Sequence, residues 1–342
     1  MEPVEESRAT VIEVAEGYYL AKIAELAQQS GIFRRLAAGD NLALVASDLD
    51  FNCELLSKLL QYVAMRSNLL DCEVADSGVR FIVNQSQADI LCADHVIAQY
   101  IGGFGPCFED LALILRQPSR GYSFLDQARH AEAFSENCVT GDNETIVALV
   151  KMLEVTNVFE LGCGGGQLLC QLAQNNFQLR AIGIDSNPMM IDLARRNISQ
   201  VSASDAIQVI CGEATSATQY LTADRLDEVE MVIAVSVANA YFYDGRNFAI
   251  TKFLNYLRSA FPNRMMILSD YFGRLGSPVC TDSHLWQRTL IHDVAQLVSG
   301  QGVPPASTEE WMAIYEETSC TLIKSYEAEG SGLAWFIHLI QL

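Results

Sequence analysis

The hydrophobic and polar positions change their period partway along the chain. Residues 11–37 carry apolar side chains at helical spacing, Val14, Tyr18, Ile23, Leu26 and Ile32 among them, with breaks at Gly31 and at Gly39-Asp40. Residues 48–68 repeat that spacing through Leu55, Leu56, Leu59, Leu60, Val63 and Met65. Two short strand-like runs at 69–72 and 79–83 then meet across Asp76-Ser77-Gly78, a turn sequence. Helices ending in a small hairpin predict a mainly helical, winged-helix-like domain over residues 1–100. Connecting helices follow over 101–145. They are interrupted at Gly102–Cys107 and at Gln117–Tyr122, two bounded loops placed to line a cleft.

Over residues 146–342 the pattern becomes short apolar runs closed by turns, at 158–161, 181–185, 206–211, 229–236 and 264–270. Two more, 321–326 and 333–340, flank a turn-rich insert, Glu327-Ala328-Glu329-Gly330-Ser331-Gly332. Strands alternating with helical stretches predict an α/β domain, and the last two strands predict an antiparallel hairpin.

The most informative run is Val158-Phe159-Glu160-Leu161-Gly162-Cys163-Gly164-Gly165-Gly166, an apolar strand that becomes a glycine turn with a carboxylate at its mouth. Glycine permits positive φ and lets a ligand press against bare backbone, and open α/β sheets place their cleft at the carboxyl ends of the strands. A dinucleotide fingerprint, G-x-G-x-x-G, would need glycine at Gln167 or Leu169. The pattern present is E-x-G-x-G-x-G, whose acid disfavours a pyrophosphate and suits a ligand carrying an ammonium and a sulfonium. A second apolar strand ends in Asp185, 25 residues after Glu160, where a carboxylate can accept ribose hydroxyls. A third is closed by Gly212-Glu213-Ala214. A solvated loop carboxylate is the plain alternative for any one acid, and a far poorer account of Glu160, Asp185 and Glu213 in order around a glycine turn.

These segments resemble the first motifs of the class I S-adenosylmethionine-dependent methyltransferases, and the N-terminal layout is similar to the dimerisation domain of small-molecule O-methyltransferases. The resemblance implies a Rossmann-like seven-stranded sheet and a homodimer. It implies S-adenosylmethionine held by Glu160, Gly162, Gly164, Asp185, Ser186, Glu213, Ala214 and Ser236, with Glu213 receiving the adenine amino group.

Charge and cysteine usage narrow the partners. The formal net charge is −20, from 42 acids against 22 bases, which repels a phosphate backbone at long range. The would-be reading helix of a winged-helix protein, residues 52–66, has only Lys58 and Arg66 as bases. Nucleic acid is therefore disfavoured. The ten cysteines show no C-x-x-C spacing, as expected of reduced thiols, and there is no run of 18 apolar residues, so a cytoplasmic protein without a membrane partner is expected.

The acceptor end departs from the resembled pattern. Where O-methyltransferases of this kind carry a catalytic histidine in a His-Asp-Trp run, this chain reads Ser236-Val237-Ala238-Asn239-Ala240-Tyr241, and no histidine occurs between His130 and His284. A polar stripe lies elsewhere: His284, Arg288, His292 and Gln296 recur every four residues, with Asp293 beside His292. In the resembled family this helix roofs the acceptor pocket.

Two chemistries stay open. His292, Asp293, Gln296 and Asp270 could hold Fe(II) or Mn(II), which would stabilise the enolate of a 2-oxo acid or β-keto acyl substrate, free or carrier-tethered, for carbon methylation. Alternatively His292 or Asp293 acts as the base of an O-methyltransferase. His130, His284, Arg288 and Tyr241 are candidate substrate contacts in either case. A non-catalytic protein that binds S-adenosylmethionine, or a winged-helix regulator, completes the set of alternatives.

Overall fold

The computed structural model describes residues 2–75, 78–83, 96–135, 141–176, 178–202, 204–243, 247–276, 286–330 and 333–342. His284, the Asp76-Ser77 turn and the Ser331-Gly332 pair lie outside these residues. The chain divides into two compact units, Met1–Gly105 and Pro106–Leu342.

The first unit contains α1 (Glu2–Gln29), α2 (Ile32–Ala37), α3 (Leu42–Asp48), α4 (Cys53–Arg66), and the antiparallel pair β1 (Leu70–Ala75) and β2 (Gly78–Val83). Gly31, at φ 73°, separates the first two helices, and the Asn52 side chain caps α4 by accepting from the Leu55 amide at 2.9 Å. Phe33, Val45, Leu60, Val63, Leu70 and Phe81 fill its core. Both bases of α4 are paired with carboxylates of the same unit, Lys58 with Glu54 and Arg66 with Glu16. Where a glycine break was expected near 102–107, Ala98–Gly103 forms a π-helical turn and Gly105–Glu109 a short helix, α5.

The second unit continues with α6 (Leu111–Arg116), a 3-10 turn over Pro118–Phe124, α7 (Gln127–Ser135) and α8 (Gly141–Met152). Its sheet contains β3 (Asn157–Leu161), β4 (Arg180–Asp185), β5 (Ile207–Cys211), β6 (Met231–Val235), β7 (Met265–Tyr271), β8 (Thr321–Gly330) and β9 (Leu333–Gln341). The helices between them are α9 (Gln167–Asn175), α10 (Pro188–Ile198), α11 (Ala223–Glu228), α12 (Phe248–Ala260), α13 (Gln287–Val298) and α14 (Thr308–Glu317). The strand order is β5-β4-β3-β6-β7-β9-β8, parallel through β7, with β9 antiparallel to both its neighbours.

Strand periodicity sorts the side chains into two cores, one on each face of the sheet. Phe159, Leu161, Val232, Ala234, Leu268 and Phe336 face one, together with Trp311 and Tyr315 of α14. Val158, Met231, Ile233, Ile267, Ile337 and Leu339 face the other, against Leu168 and Leu172 of α9. Strand β8 runs on through Glu327, Ala328 and Glu329, paired with Phe336, Trp335 and Ala334, where turn residues were expected. It is an edge strand, and an edge can keep charged side chains in water while its backbone pairs. Among the described residues no helix is long and apolar enough to cross a membrane.

Candidate active site

At the carboxyl end of β3 the backbone turns through three left-handed glycines, Gly162 (φ 65°), Gly164 (φ 51°) and Gly166 (φ 74°). They serve different ends. A Cβ on Gly162 would lie 2.4 Å from Cγ2 of Val237, so that glycine lets β3 and the loop after β6 close on each other. A Cβ on Gly164 would meet nothing within 4 Å; its bare backbone faces open space. On the next strand Gly183 pairs with Glu160, and its missing side chain makes room for Leu169 and Cys163, 2.6 and 2.7 Å from where a Cβ would stand.

Two acids border this turn. Oδ2 of Asp185 accepts from the Gly164 amide at 3.0 Å and Oδ1 from the Asn187 amide at 2.8 Å. Burial pushes this carboxyl upward, partly offset by those two amides. Glu160 is 4% exposed, and its Oε2 has no hydrogen-bond partner among the described residues. Burial first, and the charge of Asp185 second, hold Glu160 well above the usual carboxylate range. Among the described residues neither acid has a cationic side chain beside it. Two buried carboxyls and an uncovered glycine backbone fit a nucleoside that brings its own positive charge, and S-adenosylmethionine meets each requirement.

The remaining cofactor candidates surround the same strand ends. Ser186 follows Asp185 and is exposed; Glu213, also exposed, opens the 3-10 turn Ala214–Gln219 after β5. Ser236 closes β6 in a left-handed conformation, φ 54°, with its amide donating to the Ser269 carbonyl at 2.8 Å. Tyr241 stacks on Phe253, ring centroids 4.2 Å apart. Its hydroxyl is pushed upward by burial and then by the charge of Glu213, which puts those two side chains in one neighbourhood.

On the acceptor side, His292 of α13 sets its ring edge-on to Tyr271 at the end of β7, centroids 4.5 Å apart, with Nε2 3.2 Å from Nε2 of Gln296. Asp293, next in sequence, turns inward and is fully buried. Its Oδ2 accepts from the backbone amides of Arg274 and Leu275 at 2.8 and 2.7 Å, pinning the chain that leaves β7. Asp270 behaves similarly: Oδ2 accepts from the Asn239 amide and Oδ1 from the Tyr271 amide, each at 2.9 Å. His130 is half-buried on α7.

The expected metal set does not form. Among the described residues no three His, Cys, Asp or Glu side chains are grouped to hold an ion, so His292, Asp293 and Asp270 are not gathered around one point. The physical reason is that both aspartates direct oxygens at backbone amides of separate loops. The donor set does not fit Fe(II) or Mn(II).

Several positioning residues were not singled out from the sequence. The Asn187 side chain caps α10 by accepting from Met189 and donates to Oε1 of Gln127 at 2.9 Å, joining α7 to the loop that carries Asp185. Asn197 donates to the Gly165 carbonyl at 2.9 Å and braces the glycine turn. The Asn187-Pro188 pair is a legible helix start; the reach of Gln127 and Asn197 has no local sequence signal.

With this geometry in view, residues 154–319 match the family described as Methyltransferase domain. The chain thus contains a methyltransferase domain, and it shares the fold of proteins solved with S-adenosylmethionine or S-adenosylhomocysteine. In fold it is similar over nearly its whole length to several solved structures. Mitomycin 7-O-methyltransferase MmcR matches with TM-score 0.75 at 16% identity, covering 100% of this chain and 99% of that one. Human N-acetylserotonin methyltransferase, solved in complex with S-adenosylmethionine, matches with TM-score 0.71 at 14% identity, covering 98% and 97%. PigF, solved with S-adenosylhomocysteine, matches with TM-score 0.70 at 14% identity, covering 96% and 98%.

Proposed function

We propose that the protein methylates a hydroxyl oxygen of a small-molecule acceptor, with His292 as the base, in the cytoplasm. The observation that carries this reading is His292 held edge-on against Tyr271 at the end of β7, a strand parallel to β6 and through it to β3, so that Tyr271 and the glycine turn lie at the same carboxyl ends of the sheet. S-adenosylmethionine supplies an electrophilic methyl group on a sulfonium. Glu160 and Asp185 offset that positive charge, Gly164 gives it close approach, and Nε2 of His292 accepts the proton of the incoming hydroxyl once that hydroxyl displaces the Gln296 amide 3.2 Å away. Asp293 is the alternative base: its Oδ2 accepts two backbone amides, while its Oδ1 has no hydrogen-bond partner among the described residues. The engaged oxygens of Asp293 and Asp270 also weigh against metal-assisted carbon methylation. The O-methyltransferase fold likeness supports oxygen as the acceptor atom.

The helical first unit is assigned to pairing with a second copy, because it exposes Val14 (73%), Tyr18 (61%), Leu55 (58%) and Met65 (78%). Light scattering on the purified protein reads this directly, with a mass near twice that of one chain expected.

The test of the catalytic reading is turnover of His292→Ala on a panel of phenols and hydroxy acids, followed by release of S-adenosylhomocysteine. Loss of a base lowers kcat by about 100-fold or more while cofactor affinity holds. Unchanged turnover removes His292 from the chemistry, and activity abolished by chelators and restored by Fe(II) reinstates the metal mechanism.

A further inference from the structure

We infer that the acceptor carries a carboxylate, bound by Arg288, with the hydroxyl to be methylated about one helical turn away beside His292; this rests on the acceptor-site reading above. Arg288 stands four residues before His292 on α13, so the two side chains share a face and lie roughly 6 Å apart at their Cβ atoms. That face leads from the edge of Tyr271, through His292, to Arg288.

Arg288 is half-buried, and its Nε is shielded from water without a hydrogen-bond partner among the described residues. The nearest acid along the same helix, Asp293, is already bound to the amides of Arg274 and Leu275. A guanidinium partly withdrawn from water without a counter-charge is unfavourable unless a ligand supplies one, and its planar fork matches a carboxylate. The contrast within this chain is informative. With 42 acids and 22 bases, partners are plentiful, and Arg35, Arg66, Arg195 and Arg225 all have carboxylates beside them.

A second polar atom points the same way. Oε1 of Gln296, one turn beyond His292, is buried and has no partner among the described residues, although the residue is only 4% exposed. It is an acceptor, so it suits a donor group on the ligand. Arg288, His292 and Gln296 thus present a carboxylate site, a proton acceptor and an amide oxygen along one stripe. A hydroxylated aromatic acid matches the first two, and a further donor group on the ring would meet Oε1 of Gln296.

The test uses full-length protein saturated with S-adenosylhomocysteine, titrated calorimetrically with 3- and 4-hydroxybenzoate and with the corresponding carboxamides. In wild type at least one acid is expected to bind about tenfold or more tighter than its amide. Arg288→Gln is expected to bring that ratio close to one, and Arg288→Lys to recover part of it, with S-adenosylhomocysteine affinity unchanged in both variants. Amides binding as well as acids, failure of both acids to bind, or a preference that survives Arg288→Gln would each overturn the inference. Failure of wild type to bind S-adenosylhomocysteine would instead overturn the methyltransferase reading itself.

Discussion

Oδ2 of Asp185 accepts a hydrogen bond from the Gly164 amide at 3.0 Å, so the acid that ends β4 also shapes the glycine turn that ends β3. One carboxylate therefore fixes the backbone of the proposed cofactor bed and, in that proposal, also offers lone pairs to a ribose. Asp185→Ala removes both functions. A hydrogen bond to a charged group is worth about 1.5–3 kcal/mol, so S-adenosylmethionine affinity is expected to fall by roughly 10- to 100-fold or more. Asp185→Asn, which keeps one oxygen acceptor, is expected to fall less. Calorimetry on the two variants checks the order, and equal affinity for Asp185→Ala and wild type would break the link between turn and acid.

Glu160 is expected to make binding of a cationic cofactor pH-dependent. Its raised range means the free protein keeps a proton that an unfolded glutamate would already have released. A positively charged ligand favours the ionised form, so binding expels that proton and affinity climbs with pH until the site ionises unaided. Titration of S-adenosylmethionine in two buffers of different ionisation enthalpy measures the release. Glu160→Gln is expected to abolish it; proton uptake in wild type would contradict the assignment.

His338 predicts a loss of stability in mild acid. It is fully buried on β9, stacked on Phe336 at 4.1 Å, with Nδ1 2.8 Å from the Tyr315 hydroxyl and Nε2 3.0 Å from Oγ1 of Thr308. Burial lowers it to about 4. The unfolded histidine takes its proton near pH 6.5, so between about pH 6.5 and 4 the unfolded state binds more protons and folding weakens as pH falls. The full effect is roughly 3 kcal/mol, fully felt only below pH 4. Urea unfolding at pH 7 and pH 5 should show a drop that His338→Gln largely removes. An equal drop in both proteins would place the acid sensitivity elsewhere.

The parallel strands were legible because a strand buried on both faces reads as an uninterrupted apolar run, and its carboxyl end marks where Glu160 and Asp185 border the glycine turn. Harder to read were residues whose meaning depends on contacts far away in sequence. Asp293 reads as part of the His292 cluster, yet its Oδ2 is taken by the backbone amides of Arg274 and Leu275, contacts that no local spacing shows. His338 sits between Ile337 and Leu339 and passes for strand filler; its partners Tyr315 and Thr308 come from α14, 23 and 30 residues away. The charged stretch Glu327-Ala328-Glu329 resembled a turn because nothing local shows that it occupies the sheet edge.

The most direct test of the central claim is a calorimetric titration of S-adenosylmethionine into wild type and Gly164→Ala. A left-handed alanine costs about 1–2 kcal/mol, and the added methyl group meets no protein atom within 4 Å, so the variant should fold with Tm lowered by only a few degrees. Its methyl group would project into the open space assigned to the cofactor, and affinity should drop by about 100-fold or more. A folded Gly164→Ala protein that binds S-adenosylmethionine as tightly as wild type would show that the cofactor does not rest on this turn.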